Sequence, residues 1–146
     1  MRVITGTARG RVLRTLEGED VRPTTDRVKE AVFSIIQFEI EGRRVLDLFA
    51  GSGQLGIEAL SRGAASATFV DMSKDSLSAV KYNLEHTKLG DNAKVVQTDA
   101  LSFLKLTKDK FDIVFLDPPY ASSLVTDSMK LLSDVVAAGG CAICET

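Results

Sequence analysis

The chain has 146 residues, 45% hydrophobic and 26% charged, with a formal net charge of −2, a balance that fits one ordinary globular domain with a real core. No run approaches the ~18 consecutive apolar residues of a transmembrane helix, and Met1 to Gly10 lacks the apolar centre of a secretory signal, so the cytoplasm is the expected location, with no membrane partner. Near-neutral charge argues against an indiscriminate coat for polyanions, and a single histidine, His86, excludes histidine triads and multi-histidine zinc sites.

The first segment, residues 1–22, reads as a basic arm. Arg2, Arg9, Arg11 and Arg14 precede every acidic residue, and Arg22, Arg27 and Lys29 follow soon after. Such an arm on a near-neutral body suits local contacts with phosphates, although a solvated tail would look the same. Val3-Ile4 and Val12-Leu13 flank glycines at Gly6 and Gly10, which suggests a short hairpin. Pro23 then breaks the chain, and Thr24 or Thr25 is placed to cap a helix over Asp26 to Phe38. In that helix Val28, Val32, Ile35 and Ile36 recur at helical spacing and mark the expected buried face.

Beyond Gly42 strand-like runs alternate with amphipathic helices. The strands are expected near 44–48, 67–71, 94–97, 111–116 and 140–145, and the helices near 54–62, 74–86, 100–106 and 123–136, with Ser73 capping the second. Apolar strands alternating with helices imply an α/β doubly wound, Rossmann-like parallel sheet covered on both faces. In such a sheet ligands bind beyond the carboxyl ends of the strands. Asp47, Asp71, Asp99 and Asp117 all fall at or just past those ends, which points to a binding cleft.

Two stretches carry the chemistry. Gly51, Gly53 and Gly56 fit G-x-G-x-x-G between a strand and a helix, where backbone can approach a ligand closely. Asp71 closes the next strand, eighteen residues past Gly53, where a carboxylate can accept from both hydroxyls of a ribose. That spacing specifies an adenosine-containing cofactor without separating a nicotinamide dinucleotide from S-adenosylmethionine. Asp117-Pro118-Pro119-Tyr120 then follows the run Phe111 to Leu116. Its prolines end the strand, since neither donates to a ladder. The turn offers a carboxylate, a backbone carbonyl and an aromatic face, a set suited to a planar amino group on a base. Cys141 and Cys144 have C-x-x-C spacing, but strand positions three apart face opposite sides, so neither a shared metal nor a disulfide is expected.

Together these residues resemble a known family. Val45 to Gly53 (VLDLFAGSG), Asp71, and Asp117 to Tyr120 (DPPY) resemble motifs I, II and IV of class I S-adenosylmethionine-dependent amino-methyltransferases. Ile4 to Arg11 (ITGTARGR) and Arg22 to Glu30 (RPTTDRVKE) are similar to the N-terminal signature of RsmD-type bacterial 16S rRNA guanine-N2 methyltransferases, and Gly56 to Ala64 (GIEALSRGA) fits the same family. The resemblance covers essentially the whole chain. It implies S-adenosylmethionine as cofactor, 16S rRNA or the small ribosomal subunit as partner, and a monomer when complete. It assigns Asp117, Pro118 and Tyr120 to catalysis. Asp47, Gly51, Gly53, Asp71, Met72, Asp99 and Ala100 are assigned to the cofactor, with Asp71 on the ribose, Met72 along the adenine and Asp99 on its amino group. Arg9, Arg11, Arg22, Thr24 and Arg27 are assigned to the RNA, Thr24, Thr25 and Arg27 lying near either the cofactor carboxylate or the RNA backbone.

Two departures stand out. Related families often carry glutamate where this chain has Asp71. The family fold also continues through two further strands, an antiparallel hairpin at the sheet edge, beyond the fifth strand where this sequence ends. Residues 23–146 are therefore expected to form a methyltransferase domain lacking that hairpin, with Cys141 to Glu145 as an open apolar edge. Competing readings are a DNA adenine or protein glutamine methyltransferase, a nicotinamide oxidoreductase, or a non-catalytic nucleotide-binding module. The arm argues against the first two, and DPPY has no task in the others.

Overall fold

The computed structural model describes residues 2–16, 25–116 and 123–144. After the arm come α1 (Thr25–Ile36), β1 (Arg44–Leu48), α2 (Gln54–Ser61), β2 (Ser66–Asp71), α3 (Lys74–Thr87), a single 3-10 turn (Gly90–Asn92), β3 (Ala93–Gln97), α4 (Ala100–Leu106), β4 (Phe111–Leu116), α5 (Ser123–Leu132) and β5 (Val136–Cys144). The five strands are parallel in the order β3-β2-β1-β4-β5. The order reverses between β1 and β4, the switch point at which ligands bind in doubly wound sheets. No helix among the described residues is long and apolar enough to cross a membrane.

Alternation along the strands builds two core layers. Val45, Phe69, Ile113 and Phe115 face the layer shared by the arm, α1, α2 and α3. Leu46, Leu48, Val70, Val114 and Leu116 face the layer holding residues of α4 and α5. The period of two explains why β1 and β4 read as continuous apolar runs: both faces are covered. β3, at an edge, is only half-buried.

Two expectations need correction. The buried stripe of α1 is Lys29, Phe33 and Ile36, whereas Ile35 is 79% exposed. Position 35 lies two residues from Phe33 and so points to the opposite side of the helix. The stripe is rotated because Lys29 is buried against an acidic partner that a hydrophobicity pattern does not register. The expected helix over 123–136 stops at Leu132 instead, and the strand expected over 140–145 starts earlier, at Val136. Pairing jumps from Phe111↔Val136 to Ile113↔Cys141, so β5 bulges between them. Gly139 takes φ +79°, and a side chain at Gly140 would meet the Asp112 carbonyl at 2.7 Å. Gly139 and Gly140 are what the bulge requires. Among the described strands β5 is an edge, with Cys144 exposed and Ile143 half-buried against the core.

The arm folds back as the expected hairpin, with an antiparallel bridge Arg2↔Val12 and Gly10 N–H bonded to the Val3 carbonyl at 2.9 Å. It is docked on the body. Val3, Ala8 and Leu13 are buried in the same core layer as α1 and α2.

Candidate cofactor and catalytic site at the strand exits

The glycine loop is shaped by bonds between neighbouring strand exits. Ala50 N–H donates to the Val70 carbonyl at 2.9 Å, which ties the end of β1 to β2. Thr98 N–H donates to the Asp71 carbonyl at 3.1 Å, which brings the exit of β3 alongside. Gly51 and Gly53 adopt φ +58° and +84°, a region that strongly favours glycine. Phe49 shares that left-handed conformation at φ +64°, a strain of about 1–3 kcal/mol for such a residue, of the kind found at ligand sites. Nothing in the sequence signalled it.

The acidic residues do more structural work here than their spacing suggested. Asp71 Oδ2 accepts Gly51 N–H at 2.9 Å and Oδ1 accepts Ser73 N–H at 2.8 Å. A carboxylate has about four lone-pair sites, so this half-buried group keeps acceptors for a diol while it holds the loop. Asp47, 2% exposed, accepts Gly56 N–H at 3.0 Å. Helix α2 begins after Gly53, which supplies no side-chain cap, and Asp47 satisfies one amide of its first turn. Asp99 caps α4, accepting Ser102 N–H at 3.0 Å. The Ser102 hydroxyl and amide hold its exposed carboxyl below the usual carboxylate range. Ala100 is buried beside it, and Met72 is 69% exposed at the β2 exit.

The glycines divide by task. A side chain at Gly56 would stand 2.4 Å from Phe69 Cε1, so this glycine permits close packing of α2 on the sheet. One at Gly53 would meet Val80, Ile57 and Phe69 at 3.1–3.3 Å, so Gly53 is demanded by the core as well as by its φ. For Gly53 the expectation of ligand approach is therefore accompanied by a packing requirement.

The structure gathers Gly51, Gly53, Asp71, Met72, Asp99 and Ala100 at one edge of the sheet. β4 ends level with it, Leu48 pairing with both Val70 and Leu116. Asp117, Pro118 and Tyr120 follow Leu116 in sequence and, with Arg22 and Thr24, lie outside the described residues. Arg9, Arg11 and Arg27 are exposed. The hairpin turn beside Arg9 docks at the far end of α2, where Thr7 N–H donates to the Ser61 carbonyl at 2.8 Å and Ala8 N–H to Ser61 Oγ at 3.0 Å. The eight residues of α2 separate that turn from the glycine loop by roughly 12 Å of helix. Arg9 and Arg11 thus stand away from the strand exits.

Two residues that sequence reasoning passed over organise this region. Glu58, fully buried on α2, accepts Ile4 N–H at 2.8 Å and Thr5 N–H at 3.0 Å. It also pairs with Lys29 at 3.1 Å and Arg62 at 2.9 Å. Burial alone would raise its pKa, but the Lys29 ammonium, the two amides and the Arg62 guanidinium outweigh burial and hold it below the ordinary value. Asn83, fully buried on α3, joins Arg14 of the arm to Ser52 of the loop. For Glu58 the sequence offered one signal, a single charge interrupting the apolar run Gly56-Ile57-Glu58-Ala59-Leu60, and α2 is indeed buried from Gly56 to Ser61. Cys141, half-buried, and Cys144, exposed, are both free thiols. His86 is exposed and stacks on Tyr82, ring centroids 5.8 Å apart.

This geometry has known counterparts. The chain is similar to Ribosomal RNA small subunit methyltransferase D of Escherichia coli (strain K12), 43% identical over 134 residues that span 92% of this chain and 67% of that protein. The protein of the same name from Haemophilus influenzae is 42% identical over 137 residues, spanning 92% of this chain and 71% of that one. Among solved structures, a hypothetical protein of Thermus thermophilus superposes with a TM-score of 0.86 at 33% identity, covering 99% of this chain and 84% of that chain. The family described as Conserved hypothetical protein 95 matches residues 1–146, and the chain belongs to that family.

Proposed function

We propose that this protein is an rRNA methyltransferase that transfers a methyl group from S-adenosylmethionine to the exocyclic N2 amino group of a guanine in 16S rRNA. The observation that carries the reading is the switch-point edge of the sheet. There the Gly51–Gly53 loop and the Asp71 carboxylate are bonded together, level with the strand end that precedes Asp117. The names of the relatives point to ribosomal RNA of the small subunit as substrate.

The residues present fit the cofactor. Asp71 retains acceptors on a half-buried carboxylate for the ribose hydroxyls, and exposed Met72 beside it offers an apolar surface to adenine. Asp99 and Ala100 begin α4 at the neighbouring exit. When bound, S-adenosylmethionine supplies an activated methyl group on a sulfonium. The chain's own task is to hold a poor nucleophile, because the guanine amino lone pair is delocalised into the ring. Asp117 and the Pro118 carbonyl accept the two amino hydrogens and stabilise the positive charge that grows on nitrogen, by positioning and electrostatic preorganisation. Tyr120 stacks on the base once it is turned out of its helix, worth roughly 1–3 kcal/mol. Arg9, Arg11, Arg22, Thr24 and Arg27 contact the RNA backbone, which positions it without selecting a base.

Cofactor choice tests the reading directly. S-Adenosylhomocysteine should raise the melting temperature and NAD should not. The reverse order would favour a nicotinamide enzyme.

A further inference from the structure

Asn83 commits its whole amide to two parts of the chain. Its Nδ2 donates to the carbonyls of Arg14 and Ser52, each at 2.9 Å, and its Oδ1 accepts Arg14 N–H at 2.7 Å. Turning the amide over would aim its donors at the Arg14 N–H, so the network admits one orientation. Arg14 is thereby paired through both backbone groups, as a strand residue would be. Its exposed guanidinium lies 3.9 Å from the Tyr82 ring centroid, on the residue before Asn83. Ser52 stands between the two positive-φ glycines of the loop. One buried side chain therefore holds the loop's central carbonyl and the backbone of an exposed cation on the arm.

We infer that Asn83 is a positioning residue that couples the arm to the glycine loop, so that RNA on the arm and cofactor in the loop strengthen each other's binding. The inference rests on the function proposed above. An arm lifted from Asn83 strips the buried amide of its two bonds to Arg14, which is costly, and loosens the side chain that holds the Ser52 carbonyl. Both ligands favour the docked arrangement, and the coupling between them is reciprocal.

The test uses the whole chain, S-adenosylhomocysteine and a single-stranded oligouridine. Calorimetry should show oligouridine tightening S-adenosylhomocysteine binding by about fivefold or more. Asn83→Asp keeps the size and the acceptor for Arg14 N–H, but it sets an oxygen against two carbonyls. In that variant each ligand should still bind, with the tightening reduced to less than about twofold. No tightening in the unchanged chain, or full tightening in Asn83→Asp, overturns the inference. Should the variant not fold, hydrogen exchange on the unchanged chain decides: S-adenosylhomocysteine must slow exchange of the Arg14 amide, and unaltered exchange overturns the coupling. Failure of S-adenosylhomocysteine to bind at all would instead defeat the cofactor reading. The tie is then judged by whether Asn83→Asp loosens the Arg14 and Gly51–Gly53 amides together, which supports it, or only one of them, which overturns it.

Discussion

Replacing Glu58 with alanine should detach the arm and cost about 3–5 kcal/mol, the loss expected when one partner of a buried ion pair is removed. Lys29, 2% exposed, would lose the carboxylate beside it, and its bond to the Arg2 carbonyl at 3.1 Å would go as the arm lifts. The Ile4 and Thr5 amides would lose their acceptor as well. They can regain water if the arm peels away, so their cost is not additional. A loss of that size is a large part of the roughly 5–15 kcal/mol that holds a domain folded. Urea unfolding should show a lowered midpoint, and limited trypsin digestion should cleave sooner after Arg9, Arg11 and Arg14. Acid gives an independent check. The folded-state pKa of Glu58 is depressed below its ordinary 4.5, so the unfolded chain takes up the proton first as pH falls. The stabilisation is therefore complete well above pH 4.5 and fades as pH drops through the lower folded-state value. The stability gap between the unchanged chain and Glu58→Ala should narrow over that acid range. A gap under about 1 kcal/mol at neutral pH, typical of an exposed pair, would refute the argument.

Asp71→Ala should weaken S-adenosylhomocysteine binding by ~1–3 kcal/mol, with faster exchange of the Gly51 amide it now holds; unchanged affinity by calorimetry would remove Asp71 from the ribose. Replacing Arg9 and Arg11 with alanine should flatten the salt dependence of RNA binding by roughly 0.7–0.9 in slope per arginine while cofactor affinity stays the same, and an unaltered slope would leave the arm a purely structural element. Gly56→Ala forces a methyl group to 2.4 Å from Phe69 and should lower stability by about 1–3 kcal/mol in a denaturant titration.

Much of this was legible because it depends on local rules. Continuous apolar runs at β1 and β4, glycines after β1 and a carboxylate closing β2 mark a parallel sheet and its ligand edge without any long-range information. Ser73 was legible as a cap for the same reason, and its Oγ does accept Ser76 N–H at 3.2 Å. Glu58 and Asn83 were not, since a buried charge and a buried amide depend on partners as far as 54 and 69 residues away. Ile35 was misplaced because the α1 stripe centres on Lys29, whose burial depends on that same Glu58. The start of β5 at Val136 was missed because Gly139, a breaker by local rule, serves a bulge defined by the neighbouring strand.

The most direct measurement of the central claim is single-turnover methyl transfer from S-adenosylmethionine to 16S rRNA, both bare and in assembled small subunits, comparing the unchanged chain with Asp117→Ala. Mass spectrometry of the digested RNA should find N2-methylguanosine with the unchanged chain. The variant should bind S-adenosylhomocysteine normally yet lose about 10²–10³ in rate, because in the proposed mechanism the carboxylate it lacks stabilises charge that exists only in the transition state. A variant that binds cofactor and transfers methyl at a near-normal rate, or a methyl group found on another atom, would contradict the account.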